Sequence, residues 1–236
     1  MGLTHDDARS VLNDVFEKAL DVGDRRSRVF EAFSAIAQPD HVVELMRSIS
    51  GNAAAVEAGA ARSFHHPRGF TKITLIDALP VFTLRIHAWW PTTQVTADHI
   101  HNHRYWFVSR ILTGSYDMEL FQKAENGELM MEYQEHVSQR QGWQLARLGG
   151  SHLQRLGTLR LHSSSSYDLP PETLHRVSVP RETACVTILL QSASTRSTTQ
   201  VFMRPSQPRP EPRPKSSLSI DAYKGQFEAL LAVLAS

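Results

Sequence analysis

The sequence contains a single cysteine, Cys185, so no disulfide bond can form within the chain. Cys185 lies inside the apolar run 184–190, which predicts a buried, small hydrophobic side chain. The chain has no apolar stretch of about eighteen residues, which a membrane-spanning helix needs. Its first residues also lack the apolar core of a secretion signal. We therefore expect a cytoplasmic protein with no membrane partner.

Neither sign of charge is in excess, because 25 Lys and Arg side chains nearly balance 24 Asp and Glu side chains. This balance gives no electrostatic attraction to nucleic acid or to an anionic membrane, so we expect neither as a partner. At 236 residues the chain is long enough to bury the core of one domain with appendages. The residue type that stands out is histidine, which occurs 12 times.

Apolar residues at helical spacing predict a helical segment over residues 1–66, packed on whatever follows it. Thr4 and Asp7 have the spacing of a helix-capping pair. A later helix is predicted to end before Pro39. The stretch 65–69, which contains two adjacent histidines, breaks the helical pattern. We predict a turn there rather than a pair of metal ligands.

From residue 67 to residue 204 the pattern changes to short segments that Gly, Pro, Asn and Ser separate. Residues 125–128, Glu-Asn-Gly-Glu, have the composition of a hairpin turn. Ten short strands without intervening helices predict an antiparallel sandwich or jelly roll. The predicted strands are 70–78, 81–90, 99–122, 129–138, 143–148, 153–161, 166–169, 175–179, 184–191 and 198–203.

Residues 205–219 are rich in proline, arginine and serine, which predicts an extended linker. The last segment, 220–236, has apolar residues at helical spacing, among them Tyr223, Phe227 and Leu230. The apolar face of this helix would dock either on its own barrel or on a second subunit. A homodimer is therefore one of two expectations for this segment.

Three histidines, His99, His101 and His103, alternate with Ile100 and Asn102. Since side chains alternate across a β-strand, the three imidazoles project to one face of the predicted strand. Neutral imidazole is a ligand that suits zinc, copper, iron and nickel. The stretch predicts part of a metal site inside the barrel. The alternative is a group of histidines that are solvated, or buried and hydrogen-bonded, without a metal.

Residues 101–114 resemble the first motif of the cupins, a family of small jelly-roll barrels, which is H-x-H-x(3,4)-E-x(6)-G. His101 and His103 match the histidine pair, and Gly114 matches the final glycine. Phe107 stands in the place of the glutamate. Because Phe107 has the strand parity of the histidines, its side chain points inward but cannot bind a metal.

Pro170 precedes His175 by five residues, which resembles the second cupin motif. Together the motifs imply a metal site on His101, His103 and His175, without a carboxylate. The spacing of the first motif leaves His99 at the barrel mouth or beside the ligands. The expected fold is therefore a mainly β, cupin-type double-stranded β-helix with an N-terminal helical segment and a C-terminal helix.

Within the cupins, residues 70–191 are most similar to the thiol dioxygenases of the cysteine-dioxygenase type, which hold iron on three histidines. The similarity is carried by residues 102–114 and 174–177, and an insertion near 142–164 interrupts it. This resemblance implies Fe(II) as the cofactor and O2 as a substrate.

The resemblance also has departures at the substrate end. Lys72 falls where cysteine dioxygenases hold the substrate carboxylate with an arginine, and lysine lacks the bidentate fork of arginine. Leu189 and Gln191 stand where that family has a histidine and a tyrosine beside the metal. These departures argue against cysteine itself as the substrate.

Arg85, His87 and Trp89 share one face of a predicted strand whose other face is apolar. The polar face would line a cavity, or it would face solvent if the sheet were turned the other way. Phe107 would form a drier wall, and Tyr105 and Gln191 would donate hydrogen bonds beside the metal. The expected substrate-binding residues are Lys72, Arg85, His87, Tyr105, Phe107 and Gln191.

The combined prediction is an Fe(II)-dependent oxygenase that oxidises a small polar substrate, amino-acid-like, thiol or amine, with O2. Zn(II), Mn(II) and Ni(II) are alternative ions for the same site. With Zn(II) or another divalent ion as a Lewis acid, the alternative activity is a redox-neutral lyase, isomerase or bond-rearranging reaction. A third class is a barrel that binds a small ligand without turnover, because fold alone does not decide function.

Overall fold

The structure, a computed structural model, describes residues 2–18, 22–92, 99–138, 142–208 and 215–234. Over these residues four helices precede eleven strands, and a fifth helix follows them. The helices are α1 (His5–Lys18), α2 (Val22–Ile36), α3 (Pro39–Ser50), α4 (Ala53–Arg62) and α5 (Ile220–Leu234). The strands are β1 (Phe64–His66), β2 (Phe70–Ala78), β3 (Phe82–Trp89), β4 (Ile100–His101), β5 (Tyr105–Thr113), β6 (Ser115–Ser138), β7 (Gly142–His162), β8 (Ser166–Leu169), β9 (Leu174–Ser178), β10 (Cys185–Ser194) and β11 (Thr199–Met203).

The predicted helix ends are confirmed. The Thr4 hydroxyl oxygen accepts a hydrogen bond from the Asp7 backbone N–H at 3.1 Å, and the Asp7 carboxylate accepts one from the Thr4 N–H at 3.2 Å. This reciprocal pair satisfies backbone donors at the start of α1. Pro39 begins α3, because proline costs no hydrogen bond in the first turn of a helix.

The strands form two antiparallel sheets. One has the order β1-β2-β3-β10-β5-β8, and the other has the order β11-β4-β9-β6-β7. Residues of both sheets line one shared cavity, so the sheets face each other across a barrel interior. This confirms the predicted mainly β architecture of antiparallel sheets around a barrel interior, with helices before and after it.

The prediction of one strand over 99–122 is wrong. The chain breaks after β4 and turns at Gly114, where φ is +78°. A Cβ at this position would lie 2.4 Å from the Ala184 carbonyl oxygen, so the turn requires glycine for both conformation and space.

The predicted hairpin turn at 125–128 is also wrong, because β6 continues through it. Lys123 and Glu128 both pair with Leu153, so the residues between them form a bulge in one long strand. The predicted strands 143–148 and 153–161 are likewise the single strand β7. Pairing along the full length of β6 and β7 overrides the local turn composition.

The turn predicted for 65–69 begins later than expected. Residues 65 and 66 belong to β1 and pair antiparallel with β2. The turn itself occupies residues 67–69, and the Gly69 N–H donates to the His66 carbonyl at 3.0 Å.

The six-stranded sheet lies between the helices and the barrel interior. Leu84, Ile86 and Ala88 of β3 are fully buried in the large apolar cluster that the sheet forms with α1 to α5. Arg85 and His87 point to the opposite side, into the cavity. Because the helices cover the apolar face of β3, the polar face of this strand points into the barrel.

The C-terminal helix α5 docks on its own chain. Tyr223, Phe227 and Leu230 are buried in the helix-side cluster, and the Tyr223 hydroxyl donates to the Thr74 carbonyl at 2.7 Å. Gly59 makes room for this hydroxyl, since a Cβ there would lie 2.4 Å from it. A homodimer stays a prediction.

The predicted linker, 205–219, is tied down where the structure describes it. The Leu218 N–H donates to the Ser63 carbonyl at 2.8 Å, and the Ser217 hydroxyl donates to the Ala61 carbonyl at 2.7 Å. Residues 209–214 lie outside the described residues. None of the helices described is long and apolar enough to cross a membrane.

Candidate metal centre

Three histidines converge inside the barrel. His101 on β4 is the cross-strand partner of His175 on β9, and their ring centroids lie 4.6 Å apart. His103 follows β4, and its backbone N–H donates to the Pro171 carbonyl at 3.0 Å. One nitrogen from each ring lies within 4.8 Å of the others. This group could hold a metal ion.

Backbone carbonyls fix the tautomer of two of these imidazoles. The His101 Nδ1 lies 2.8 Å from the His99 carbonyl oxygen, and the His175 Nδ1 lies 3.2 Å from the Thr173 carbonyl oxygen. Since a carbonyl only accepts, each Nδ1 donates its proton and Nε2 carries the lone pair that a metal needs. His99 contributes this carbonyl, and its imidazole is not part of the three-histidine group.

Burial keeps the three imidazoles neutral. Removal from water, with nearby positive charge adding to the effect, lowers the pKa of His101 and His103 well below 6.5. Burial lowers the pKa of His175 to about 4. Because a metal binds the neutral form of imidazole, the site presents three ligands without a competing proton at neutral pH.

The histidines open into a cavity of about 180 Å³. Five of the six predicted substrate-binding residues line this cavity: Lys72, Arg85, His87, Tyr105 and Phe107. Gln191 does not, because it lies behind Arg85 and lines a second cavity. The structure therefore brings the predicted residues together around two adjoining spaces.

Phe107 on β5 occupies the inward position where the resemblance places a glutamate. Its side chain is 2% exposed, and its ring meets the ring of His103 edge to face, with centroids 4.9 Å apart. Among the residues that the structure describes, no carboxylate belongs to the histidine group. The centre is thus a neutral set of nitrogen donors with an apolar wall.

The side chain of Arg85 on β3 reaches across β10 toward β5. It is 3% exposed, and it donates hydrogen bonds to the Gln191 side-chain oxygen on β10 and to the Tyr105 hydroxyl on β5. The Tyr105 oxygen therefore accepts from Arg85, which leaves the phenolic proton available to another acceptor in the cavity. This arrangement places a fixed positive charge beside the histidines.

Sequence analysis missed several residues of the cavity wall. Arg68, after β1, forms an ion pair of 3.0 Å with Glu135 on β6, and both side chains are 12% exposed. His66 also lines the cavity, stacked on Phe70 with centroids 4.4 Å apart, and burial lowers its pKa well below 6.5. No local pattern marks Arg68, because its ion pair joins segments far apart in sequence, and the sequence pattern assigned His66 to a turn.

A buried polar chain behind the histidines was missed as well. Asn102 is fully buried, and its side chain donates to the Gln200 side-chain oxygen at 2.8 Å and accepts from the Gln200 backbone N–H at 2.7 Å. Gln200 donates in turn to Glu132 at 2.8 Å. Glu132 accepts from Lys123 and Ser151. The residue between the two histidines is thus anchored through three further strands, β11, β6 and β7.

Comparisons with known proteins concern the fold. No family model matches the sequence, and no curated protein matches it. Among solved structures, an RmlC-like cupin from Shewanella frigidimarina matches with a TM-score of 0.35 and 13% identity, over 57% of this chain and 85% of that one.

Two other structures that match are of named proteins. Iron(II) HppE has a TM-score of 0.33 and 10% identity, over 52% of this chain and 49% of that one. Hydroquinone 1,2-dioxygenase PnpCD, in complex with Cd²⁺ and 4-hydroxybenzonitrile, has a TM-score of 0.32 and 12% identity, over 58% and 70%. Solved cupins are therefore among the structures that resemble this chain, and the chain itself holds a three-histidine group that could hold a metal.

Proposed function

We propose that this protein is a metal-dependent cupin oxygenase that holds Fe(II) on His101, His103 and His175 and oxidises a small polar substrate with O2. The observation that carries the proposal is the convergence of three buried imidazole nitrogens within 4.8 Å of one another at the wall of a cavity. The substrate class is amino-acid-like, thiol or amine.

The donor set fits the proposed ion. The three ligand nitrogens lie within 4.8 Å of one another, so one ion could be shared among them once the rings close to a metal–nitrogen distance of about 2.1 Å. Imidazole is a common ligand of iron, and three neutral ligands leave the charge of the ion uncompensated. When bound, iron would supply the redox chemistry with O2.

The chain's own residues would bind and orient the substrate. Arg85 presents a fixed positive charge, and Tyr105 presents its phenolic proton, because its oxygen already accepts from Arg85. Burial lowers the pKa of His87 well below 6.5, so this side chain faces the cavity as a neutral donor or acceptor. Lys72 adds a second basic group at the same wall.

Phe107 would exclude water from the metal centre. Its buried ring lies against His103 and takes up space beside the ligands without offering them a donor. Exclusion of water strengthens the electrostatic interactions of Arg85 with a bound substrate, since fewer water dipoles screen them.

Elemental analysis of protein purified without added metal, followed by oxygen-uptake assays over a panel of thiols, amino acids and amines, tests the proposal. Iron in the purified protein and substrate-dependent oxygen uptake would support it. Bound zinc with turnover but no oxygen uptake would support a redox-neutral reaction instead. Metal without turnover of any substrate would favour a ligand-binding role.

A further inference from the structure

A second cavity, of about 230 Å³, adjoins the metal centre behind Arg85. Basic side chains dominate its lining, and Asp77 is the only acidic residue among the described residues that line it. The basic residues are Arg62, Lys72, Arg85, Arg104 and Lys215. Positive charge is thus concentrated in a space large enough for several water molecules or a small ligand.

Two of these five basic groups have ion-pair or hydrogen-bond partners among the described residues. Arg62 forms an ion pair of 2.7 Å with Asp77. Arg85 donates hydrogen bonds to Gln191 and Tyr105. The charges of the remaining three basic residues are not paired with an acidic side chain of the described part of the chain.

Lys72 and Lys215 approach the same aromatic ring. The Lys72 Nζ lies 5.1 Å from the centroid of the Phe64 ring, and the Lys215 Nζ lies 4.6 Å from it. Burial and the neighbouring cations lower the pKa of both ammonium groups. Like charges gathered at one ring repel each other, and a bound anion would remove that repulsion.

We propose that the second cavity binds a small oxyanion with more than one negative charge, of the phosphate or dicarboxylate class, between Lys72, Arg104 and Lys215. The Asp77 Oδ1 is buried without a hydrogen-bond partner, so it would accept from an O–H group of such a ligand, as in hydrogenphosphate. The charge of three unpaired basic groups selects a multiply charged anion over chloride.

The residues assigned to the anion are not metal ligands, but the two cavities adjoin and share part of their walls. The shared residues are Lys72, Arg85, Arg104, Tyr105 and Lys215. A substrate with a charged end would place that end here and its reacting end at the histidines. This extension rests on the proposed function, whereas the anion site itself does not.

Calorimetric titration of the full, metal-free chain at low ionic strength with inorganic phosphate, sulfate and succinate tests the site. We expect saturable binding of at least one of the three anions, weakened by added sodium chloride. Binding of phosphate and sulfate alone would identify the tetrahedral class, and binding of succinate alone the dicarboxylate class. No saturable binding of any of them would overturn the proposal.

Lys215→Gln should weaken this binding at least about fivefold, because it removes one charged partner of the anion. Lys215 is exposed, so the fold should tolerate the change. The matched control is Lys224→Gln on α5, which is also exposed and lies outside the cavity. Equal affinity in Lys215→Gln and the wild type would contradict the site. Failure of the anion site is distinguishable from failure of the metal site, because the metal content of the same proteins is measured separately.

Discussion

Arg85 on β3 and Tyr105 on β5 lie on opposite sides of β10, and the Arg85 Nη2 donates a hydrogen bond of 2.6 Å to the Tyr105 hydroxyl oxygen. The bond spans the middle of the six-stranded sheet on its barrel side. The bond lies between the histidine cavity and the second cavity, since both residues line both spaces.

Tyr105→Phe should retain metal and lower substrate-dependent oxygen uptake about tenfold, because it removes the phenolic proton that we assign to the substrate. Elemental analysis and oxygen uptake on the same preparation check this prediction. Tyr133→Phe is the matched control, since Tyr133 is a buried tyrosine that does not line the cavity. Equal uptake by Tyr105→Phe and Tyr133→Phe would remove Tyr105 from the substrate site.

Gln200→Ala should lower metal affinity about tenfold, because Gln200 holds Asn102 between the two histidines. A competitive titration with a zinc chelator measures this affinity. The control is Gln134→Ala, the cross-strand neighbour of Gln200, which bonds Thr198 instead. A purely structural role would lower the melting temperature of Gln200→Ala without changing the metal affinity of the folded protein.

Phe107→Glu should retain the fold, bind manganese relatively better than the wild type and lose native activity. A carboxylate at this position adds an anionic ligand that suits a harder ion. Its burial is costly unless a metal compensates, so the metal-free variant should melt well below the metal-loaded one. Equal melting temperatures with and without chelator would mean that residue 107 does not face the metal.

The metal-free protein should lose stability as the pH falls below about 6.5. Burial holds the pKa of His66 and His87 well below 6.5 in the folded chain, whereas both groups titrate near that value in the unfolded chain. The unfolded state therefore takes up protons first, and the free energy of unfolding decreases. Each such histidine contributes up to about 1.4 kcal/mol per pH unit.

Denaturant titrations of the protein, kept metal-free by a chelator, measure how the free energy of unfolding changes with pH across this range. His66→Asn should make the slope shallower, whereas His162→Gln, an exposed control on the β7 end, should leave it unchanged. A slope that is the same in His66→Asn and the wild type would contradict the assignment to buried histidines.

Sequence reasoning succeeded where one local pattern determined one structural feature. The alternation of Arg85 and His87 with apolar residues predicted which face of β3 is polar, and helix packing on the apolar face confirms it. For β3, strand parity alone decides the direction of the side chains. His101 and His103 were likewise predicted to point inward and do so, but His103 lies beyond the end of β4. Its position follows from the hydrogen bond of its N–H to the Pro171 carbonyl and not from strand parity.

It failed where pairing between distant segments decides the outcome. The bulge between Lys123 and Glu128 exists because β7 offers partners on both sides of it, which no turn propensity can show. The Arg68–Glu135 ion pair joins residues 67 positions apart. Gln191 was predicted beside the metal, but it lies behind Arg85 and lines the second cavity. Its hydrogen bond to Arg85 joins two neighbouring strands, which the sequence does not reveal.

Metal occupancy of single histidine variants tests the central claim most directly. His101→Ala, His103→Ala and His175→Ala should each lower the bound metal per chain about tenfold or more, since a centre with three protein ligands has no spare donor. His99→Ala should leave occupancy nearly unchanged, because the backbone carbonyl that accepts from the His101 Nδ1 is retained in this variant. If His99→Ala empties the site while His103→Ala retains the metal, the three-histidine centre described here is wrong.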